Sequence, residues 1–191
     1  MTDALGLGFD TAGPYCAAAL VRGTTVLDTA AQDMARGQAE ALLGLLEDLL
    51  IRHRAKWSDL QALGVGTGPG NFTGVRISVS AARGLALGLS IPAYGVTGFE
   101  AQAQITGNTR FQCLPAPRDQ LYVQRDGQAA LVAQHEVREQ MPDAATPAQI
   151  AEAVALIACA RCPDPAPAPA PYYLRAPDAA PAKDKPPAIL P

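Results

Sequence analysis

The residues best suited to chemistry lie in a glycine-rich segment at 64–76, which reads GVGTGPGNFTGVR. An apolar run precedes this segment and a helix-like sequence follows it, which is the setting of phosphate-binding loops at helix N-termini. A Walker A loop, however, requires a lysine that this segment lacks. The dinucleotide fingerprint requires a glycine at its sixth position, where this segment has proline, asparagine or threonine. Two interpretations remain: the N–H groups and Arg76 could hold an anion, or the glycines only permit a tight turn and close backbone approach.

A second polar turn, Asp10-Thr11-Ala12, follows an apolar stretch that is typical of a strand. A carboxylate beside a hydroxyl can hold a phosphate or a metal ion, but aspartate and threonine are also ordinary turn formers. Together with the glycine-rich segment, this turn forms a candidate anion or nucleotide site. The residues of that candidate site are Asp10, Thr11, Gly70, Thr73, Gly74 and Arg76.

Other reactive residues are few. Cys159 and Cys162 form a single C-x-x-C, but zinc would need two further ligands and the two histidines, His53 and His135, are isolated. A redox role would need a thioredoxin-like βαβ context, which the sequence does not indicate. No H-E-x-x-H, G-x-S-x-G or Ser/His/Asp arrangement occurs. We therefore predict no catalytic residue, no metal site and no cofactor of the chain's own.

The composition excludes some classes of protein. The 191 residues carry a formal net charge of −3, which argues against a free-standing nucleic-acid binder. The N-terminal sequence has no basic region, and prolines interrupt the long uncharged stretches, so we expect neither a signal peptide nor a membrane span. Without a secretory signal, the four cysteines indicate reduced thiols in a cytoplasmic protein.

Periodicity and turn residues predict the order of elements. Strands are expected at 4–9, 15–21, 24–28, 62–66 and 91–96, and helices at 37–54, from 73 or 74 to 89, and after a capping box at 97–100. Further strands at 111–114, 120–124 and 129–132 and a helix at 146–158 follow with a weaker signal. This order predicts a mixed sheet flanked by helices.

The chain divides into three predicted parts. Residues 1–108 form a first lobe and 109–162 a smaller second lobe, while 163–191 hold ten of the seventeen prolines. A proline-rich tail of this kind cannot hold regular structure, so we expect it to be extended or disordered.

The helix predicted at 74–89 has an unusual surface. Arg76 and Arg83 are its only charged residues, and Ser80, Gly84 and Gly88 follow one another at four-residue spacing. Glycine in a helix interior costs about 1 kcal/mol relative to alanine, so two of them indicate a packing requirement. A helix that is apolar nearly all round is buried on two sides. One side would face its own sheet and the other a neighbouring helix, from this chain or from another.

The helix at 37–54 is the natural companion, because its apolar positions form one stripe. The two helices together predict a partner-docking surface, which we expect to form a homodimer when no other partner is present. The residues predicted for it are Ala39, Leu42, Leu43, Leu46, Leu49, Leu50, Ile77, Ser80, Ala81, Gly84, Leu85 and Gly88.

Three of these segments resemble one family. They are Gly8-Phe-Asp-Thr-Ala12, the leucine-rich helix at 37–54, and Gly66-Thr-Gly-Pro-Gly-Asn-Phe-Thr-Gly-Val-Arg-Ile77 followed by Gly84-Leu-Ala-Leu-Gly88. They are similar to the bacterial tRNA threonylcarbamoyladenosine biosynthesis proteins of the TsaB (YeaZ) family. The resemblance covers about residues 4–105, with a further match at Tyr172–Arg175. It implies an α/β fold of the actin-like (ribonuclease H-like) ASKHA class, here with a reduced second lobe.

The resemblance also implies a function. TsaB is a non-catalytic dimerisation and activating subunit in the synthesis of N6-threonylcarbamoyladenosine at tRNA position 37 (t6A37). It pairs with the related transferase TsaD through the two helices corresponding to 37–54 and 74–89, and the ATPase TsaE joins the larger complex. Any ATP or ADP would then act at the level of the complex, and contact with tRNA would be indirect.

This sequence departs from the family pattern at several positions. The first helix is preceded by Ala35-Arg-Gly-Gln38 instead of a His-Ser/Thr pair, and the two metal-binding histidines of the transferase are missing. The family's Asp-Ala-Arg motif reads Pro115-Ala-Pro-Arg118, without the leading aspartate. Two other functions stay open: an actin-like ATPase or kinase that uses Asp10, Thr11 and the glycine-rich segment, and a peptidase-like homologue.

Overall fold

A mixed five-stranded sheet forms the centre of the protein in this computed structural model, which describes residues 3–174. The strands are β1 (Leu5–Asp10), β2 (Tyr15–Arg22), β3 (Thr25–Asp33), β4 (Ala62–Gly66) and β5 (Ala93–Val96), in the order β3-β2-β1-β4-β5. β2 is antiparallel to both of its neighbours, whereas β1, β4 and β5 are parallel. The predicted match at Arg175 and the rest of the predicted tail lie outside the described residues.

Four helices cover the two faces of this sheet. α1 (Gln38–Arg52) and α2 (Phe72–Leu89) pack on one face, and α3 (Gly98–Thr106) and α4 (Pro147–Arg161) lie on the other. The mixed sheet with flanking helices that the sequence predicts is confirmed.

A second sheet of three antiparallel strands follows α3. It consists of β6 (Phe111–Ala116), β7 (Gln120–Arg125) and β8 (Gln128–Ala133). The side-chain carbonyl of Gln102 on α3 accepts a hydrogen bond of 2.7 Å from the backbone N–H of Cys113. This buried bond joins the small sheet to the first lobe.

The side chains of β1 alternate between the two faces of the sheet, and this alternation decides which helices pack on each face. Leu5, Leu7 and Phe9 point to the face that packs against α1 and α2. Gly8, which alternates with them, points to α4, because a Cβ added there would collide with the backbone of Ala155. Gly64 of the neighbouring strand β4 does the same, since its added Cβ would lie 2.5 Å from the Val154 carbonyl oxygen. The glycines therefore let α4 come so close that its backbone nearly touches the backbone of the sheet.

This packing changes the predicted division of the chain. The boundary predicted at 108/109 would place α4 in the second lobe. Instead, α4 buries Ala151, Ala155 and Cys159 against the first-lobe strands β1 and β2. The described part of the second lobe therefore contains β6–β8 and the segment that leads to α4, and α4 completes the first lobe.

The predicted elements all occur, with one marked difference in length. The strand predicted at 24–28 extends to Asp33, because β2 continues to pair with it as far as Tyr15 opposite Asp33. β4 has the predicted bounds, and Thr97 and Glu100 form the predicted capping box of α3.

Candidate functional site: an outer helical face and the cleft beside it

The glycine-rich segment and the turn at 10–12 hold each other in place. The Thr11 hydroxyl donates to the Gly74 carbonyl oxygen at 2.7 Å, and the Asn71 N–H donates to the Ala12 carbonyl oxygen at 2.7 Å. A Cβ on Gly74 would overlap the Thr11 carbonyl oxygen, and one on Gly70 would lie 2.5 Å from the Ala12 carbonyl oxygen. Close backbone approach, one of the two predicted interpretations, therefore accounts for both glycines.

The same segment begins α2. Asn71 is the N-cap residue, and its side-chain oxygen accepts a hydrogen bond of 2.9 Å from the Gly74 N–H. The loop thus fixes the position and the direction of α2.

The polar groups predicted to hold an anion are partly engaged within the chain. The Thr11 hydroxyl and the Gly74 N–H have the partners just described. The Arg76 guanidinium lies 3.9 Å from the centroid of the Phe72 ring, and its Nε donates to the Tyr173 hydroxyl at 3.1 Å. Thr73 is exposed at the first turn of α2. The structure brings the turn and the loop together, but four of the six residues, Asp10 included, already have internal partners.

Asp10 is the buried acidic residue of this region, with 3 % of its surface exposed. Its carboxylate accepts hydrogen bonds from the Tyr15 hydroxyl at 2.6 Å and from the Ala12 N–H at 3.3 Å. Burial raises the pKa of Asp10 above its ordinary value of 3.8, although these hydrogen bonds act in the opposite direction. Burial, with the neighbouring carboxylate, also raises the pKa of Tyr15. No sequence signal connects Tyr15 to Asp10 beyond their proximity.

A cleft of about 1120 Å³ separates the glycine-rich segment from the small sheet. Gln102, Leu114 and Tyr122 form part of its wall, and Asp10 lies against its first-lobe side. Among the residues that the structure describes, Asp10 is the sole charged residue lining this cleft. A phosphate site would need a cation or several free N–H donors, and no lysine or arginine of residues 3–174 lines the cleft.

Residues 163–174, which we call the C-terminal strap, cross the first lobe without helix or strand. Pro169 is buried beside Gly95 of β5, and the Tyr172 N–H donates to the Thr67 carbonyl oxygen at 2.8 Å. The Tyr173 ring then stacks on Phe72 with 4.7 Å between the ring centroids. The strap therefore ends against the first turn of α2.

The outward side of α2 is open. Ser80, Gly84 and Gly88 are exposed, and a Cβ added to either glycine would have no other atom within 4 Å, apart from the nearby backbone of the helix itself. Leu87, beside them, is 84 % exposed. The small-residue stripe therefore does not receive α1 of the same chain, which was one of the two packing possibilities.

α1 continues this open surface, because both helices cover the same face of the sheet. Leu43 is 52 % and Ile51 64 % exposed, and Gly44 has nothing within 4 Å of an added Cβ. The outer helical face is defined by Leu43, Gly44, Ile51, Ser80, Gly84, Leu87 and Gly88.

This face differs in part from the predicted docking set. Leu42, Leu46, Leu49 and Leu50 are buried in the chain's own core, against the sheet, and so are not available at the surface. Ile77, Ala81 and Leu85 are partly buried against the same core, whereas Ala39 and Leu43 are exposed. Leu87 and Ile51 were not in the predicted set. In the sequence, each of them is an apolar residue that lies off the stripe facing the sheet, and this position was the signal that could have found them.

Three of the four cysteines belong to the first lobe, whereas Cys113 lies in β6 of the small sheet. All four are free thiols, and burial raises the pKa of Cys16 and of Cys159 to about 11. The Cys159 and Cys162 thiols lie 3.6 Å from the carbonyl oxygens of Ala4 and Gln61, respectively. Within residues 3–174 no group of three histidine, cysteine or acidic side chains could hold a metal ion. Nor is any helix in that range long and apolar enough to cross a membrane.

The strand order β3-β2-β1-β4-β5, with β2 antiparallel to its neighbours, defines an α/β protein of the ribonuclease H-like, actin-like class. Within that class the chain belongs to the family described as TsaD, tRNA N6-adenosine threonylcarbamoyltransferase, whose model matches residues 30–162.

Individual relatives confirm the resemblance to TsaB and YeaZ. The TsaB protein of Escherichia coli K12 is 38 % identical over 98 residues, which are 51 % of this chain and 42 % of that protein. The TsaB protein of Haemophilus influenzae Rd is 34 % identical over 100 residues, 51 % of this chain and 41 % of its own length. These alignments thus span less than half of each relative.

Solved structures extend the similarity over more of the chain. The structure of YeaZ from Pseudomonas aeruginosa is 28 % identical, has a TM-score of 0.62 and covers 74 % of this chain and 73 % of its own. A second P. aeruginosa structure, described as similar to the peptidase YeaZ, has the same identity and TM-score and covers 75 % and 73 %.

Proposed function

We propose that this chain is a non-catalytic subunit of t6A37 synthesis that pairs with the transferase TsaD through the outer helical face. The observation that carries the proposal is the open stripe of Ser80, Gly84 and Gly88 on α2, flanked by the exposed Leu87. The relatives named as tRNA threonylcarbamoyladenosine biosynthesis proteins support the pathway.

The chemistry of the outer helical face fits another helix. Glycines without neighbours allow the backbone of a partner helix to come close, and exposed leucine and isoleucine supply the apolar area. Leu43, Ile51 and Leu87 are already partly covered, so burying the rest of each side chain contributes less than the roughly 1.5–3 kcal/mol of a fully exposed one. Alone in solution, the chain would cover the same face with a second copy of itself.

We also propose that the transfer chemistry belongs to the partner. The Thr11 hydroxyl is engaged within the chain, Arg76 does not line the cleft, and the described walls of the cleft carry a buried carboxylate without a basic residue. This arrangement favours the accessory role over the ATPase or kinase alternative. Measuring nucleotide binding and hydrolysis by the isolated chain compares the two functions directly. Micromolar affinity for ATP together with its turnover would support the ATPase instead.

No specific observation favours the peptidase alternative. His53 bonds to Asp28 at 3.2 Å at the exposed end of α1, and neither it nor His135 lines the cleft. Metal analysis of the purified chain separates the peptidase alternative from the proposed accessory role.

The experiment for the proposal combines binding and activity. The cognate TsaD is first captured on the immobilised chain, and t6A is then measured in tRNA with TsaD and TsaE, with and without this chain. We expect a stable complex, and t6A formation that depends on the chain. Equal t6A formation without the chain would contradict the proposal.

A further inference from the structure

Arg76 occupies one end of the small-residue stripe on α2. It precedes Ser80 by four residues, and Gly84 and Gly88 continue the same spacing, so all four positions lie along one side of the helix. A partner helix that lies along the stripe would therefore meet Arg76 at the N-terminal end of α2.

The Arg76 side chain is fixed by aromatic residues. Its guanidinium lies over the Phe72 ring, and Tyr173 of the C-terminal strap stacks on that ring at 28° between the ring planes. The Tyr173 hydroxyl accepts the Nε hydrogen, so the stem and one edge of the guanidinium are held. An arginine that is immobilised in this way loses less conformational entropy when a ligand binds.

The rest of the guanidinium is available to a partner. Arg76 is exposed, and no carboxylate among residues 3–174 forms an ion pair with it. The first turn of α2 contains no acidic residue, so the partial positive charge of the helix N-terminus is not offset there. The fork formed by the two Nη groups matches a carboxylate, which can accept two parallel hydrogen bonds.

We propose that Arg76, positioned by Tyr173, recognises an aspartate or glutamate side chain of the partner helix that lies along the stripe. Tyr173 acts here as a positioning residue, and the C-terminal strap becomes part of the docking surface although it is 97 residues away from Arg76 in the chain. This inference rests on the proposed function, because it specifies the chemistry of the same partner.

The test measures the dissociation constant for the cognate TsaD at about 50 mM and about 500 mM NaCl, which change the screening of exposed charges. Arg76→Gln should weaken binding about tenfold at the lower salt, since it removes a charge-assisted hydrogen bond, and by less at the higher salt. The comparison variant is Arg83→Gln, which removes the same charge from an exposed position on the same side of α2, where no cation–π contact among the described residues holds the side chain. It should therefore change binding less.

Two Tyr173 variants test the positioning role. Tyr173→Phe removes the hydrogen bond and keeps the ring, and Tyr173→Ala removes both, so we expect a weaker and a stronger loss of affinity, respectively. The double variant Arg76→Gln/Tyr173→Ala should bind as Arg76→Gln does, because Tyr173 acts through Arg76. Thermal melting confirms that each variant is folded.

Three results would overturn the inference: equal effects of Arg76→Gln and Arg83→Gln, additive effects of the Arg76 and Tyr173 variants, or an effect on self-association alone. Failure of the proposed function looks different, because the unmodified chain would then not bind TsaD at either salt concentration.

Discussion

At the scale of single residues, Asp10 shows how burial changes the behaviour of a turn former. Its carboxylate lies among strand and loop backbone and is held by Tyr15, whose hydroxyl donates at 2.6 Å. Loss of hydration makes the charged form less favourable, which raises the pKa of Asp10 in the folded protein. Thr11 and Ala12 join the turn at 10–12 to the loop that begins α2, and Asp10 contributes a titrating group whose effect on stability can be measured.

Asp10 should make the stability of the protein depend on pH. Because the folded pKa of Asp10 is raised, the folded state keeps its proton to a higher pH than the unfolded state. The free energy of unfolding should therefore fall as the pH rises from about 3.8 through the raised pKa. Asp10→Asn removes this titration, so its melting temperature relative to the unmodified chain should rise across the same pH range.

Asp28→Asn is a control for which we expect the opposite dependence of stability on pH. A hydrogen bond from Arg52 lowers the pKa of Asp28, so its contribution to stability is present above the unfolded pKa and is lost as the pH falls through the folded one. Removing Asp28 should therefore cost stability near neutral pH and less in acid. A pH-independent difference between Asp10→Asn and the unmodified chain would contradict the account of Asp10.

At the scale of elements, glycines do two different things in this chain. Gly8 in β1 lies against the backbone of Ala155 in α4, so it allows a helix to pack closely on the sheet. Gly84 in α2 has open space beside it and is not required by any packing within the described residues. Sequence alone does not distinguish these roles, because both residues are glycines within apolar elements.

The same substitution at the two positions should have opposite effects. Gly8→Ala places a methyl group against the backbone of α4 and should destabilise the protein by about 1–3 kcal/mol, as overpacking does. Gly84→Ala meets no neighbour and should stabilise it by up to about 1 kcal/mol, through helix propensity. Urea unfolding of the two variants checks this. Equal effects would show that α4 does not pack on β1 as described.

The elements follow local signals and could be predicted, whereas their partners in packing could not. The capping box at Thr97 and Glu100 and the bounds of β4 are fixed by adjacent residues. β3 exceeded its predicted length because its extent depends on pairing with β2, whose sequence is distant from the end of β3. Pairings between residues far apart in the chain leave no local pattern.

The same limit applies to the candidate site. The spacing of Leu42, Leu46 and Leu49 shows that α1 has an apolar side, but not that this side packs against the sheet. The contact between Arg76 and Tyr173, which are 97 residues apart, emerges only from the folded chain. The stripe of Ser80, Gly84 and Gly88 could be recognised in advance, because small residues at four-residue spacing fix a helix side by themselves.

At the scale of the whole molecule, two surfaces of different character lie next to each other. The cleft is bounded by both lobes and carries one buried carboxylate among its described residues. The outer helical face is an open surface of small and aliphatic side chains that faces away from the sheet. Large exposed aliphatic residues are seldom grouped on a monomer without a partner, which supports the assembly proposed for this face.

The most direct test compares Gly84→Leu with Gly84→Ala by sedimentation velocity, each mixed with the cognate TsaD. Leucine at this position would hold the partner helix away, whereas alanine adds one methyl group to an open stripe. We predict that the unmodified chain and Gly84→Ala sediment as complexes with TsaD, and that folded Gly84→Leu does not. Undiminished complex formation by Gly84→Leu would contradict the proposed role of the outer helical face.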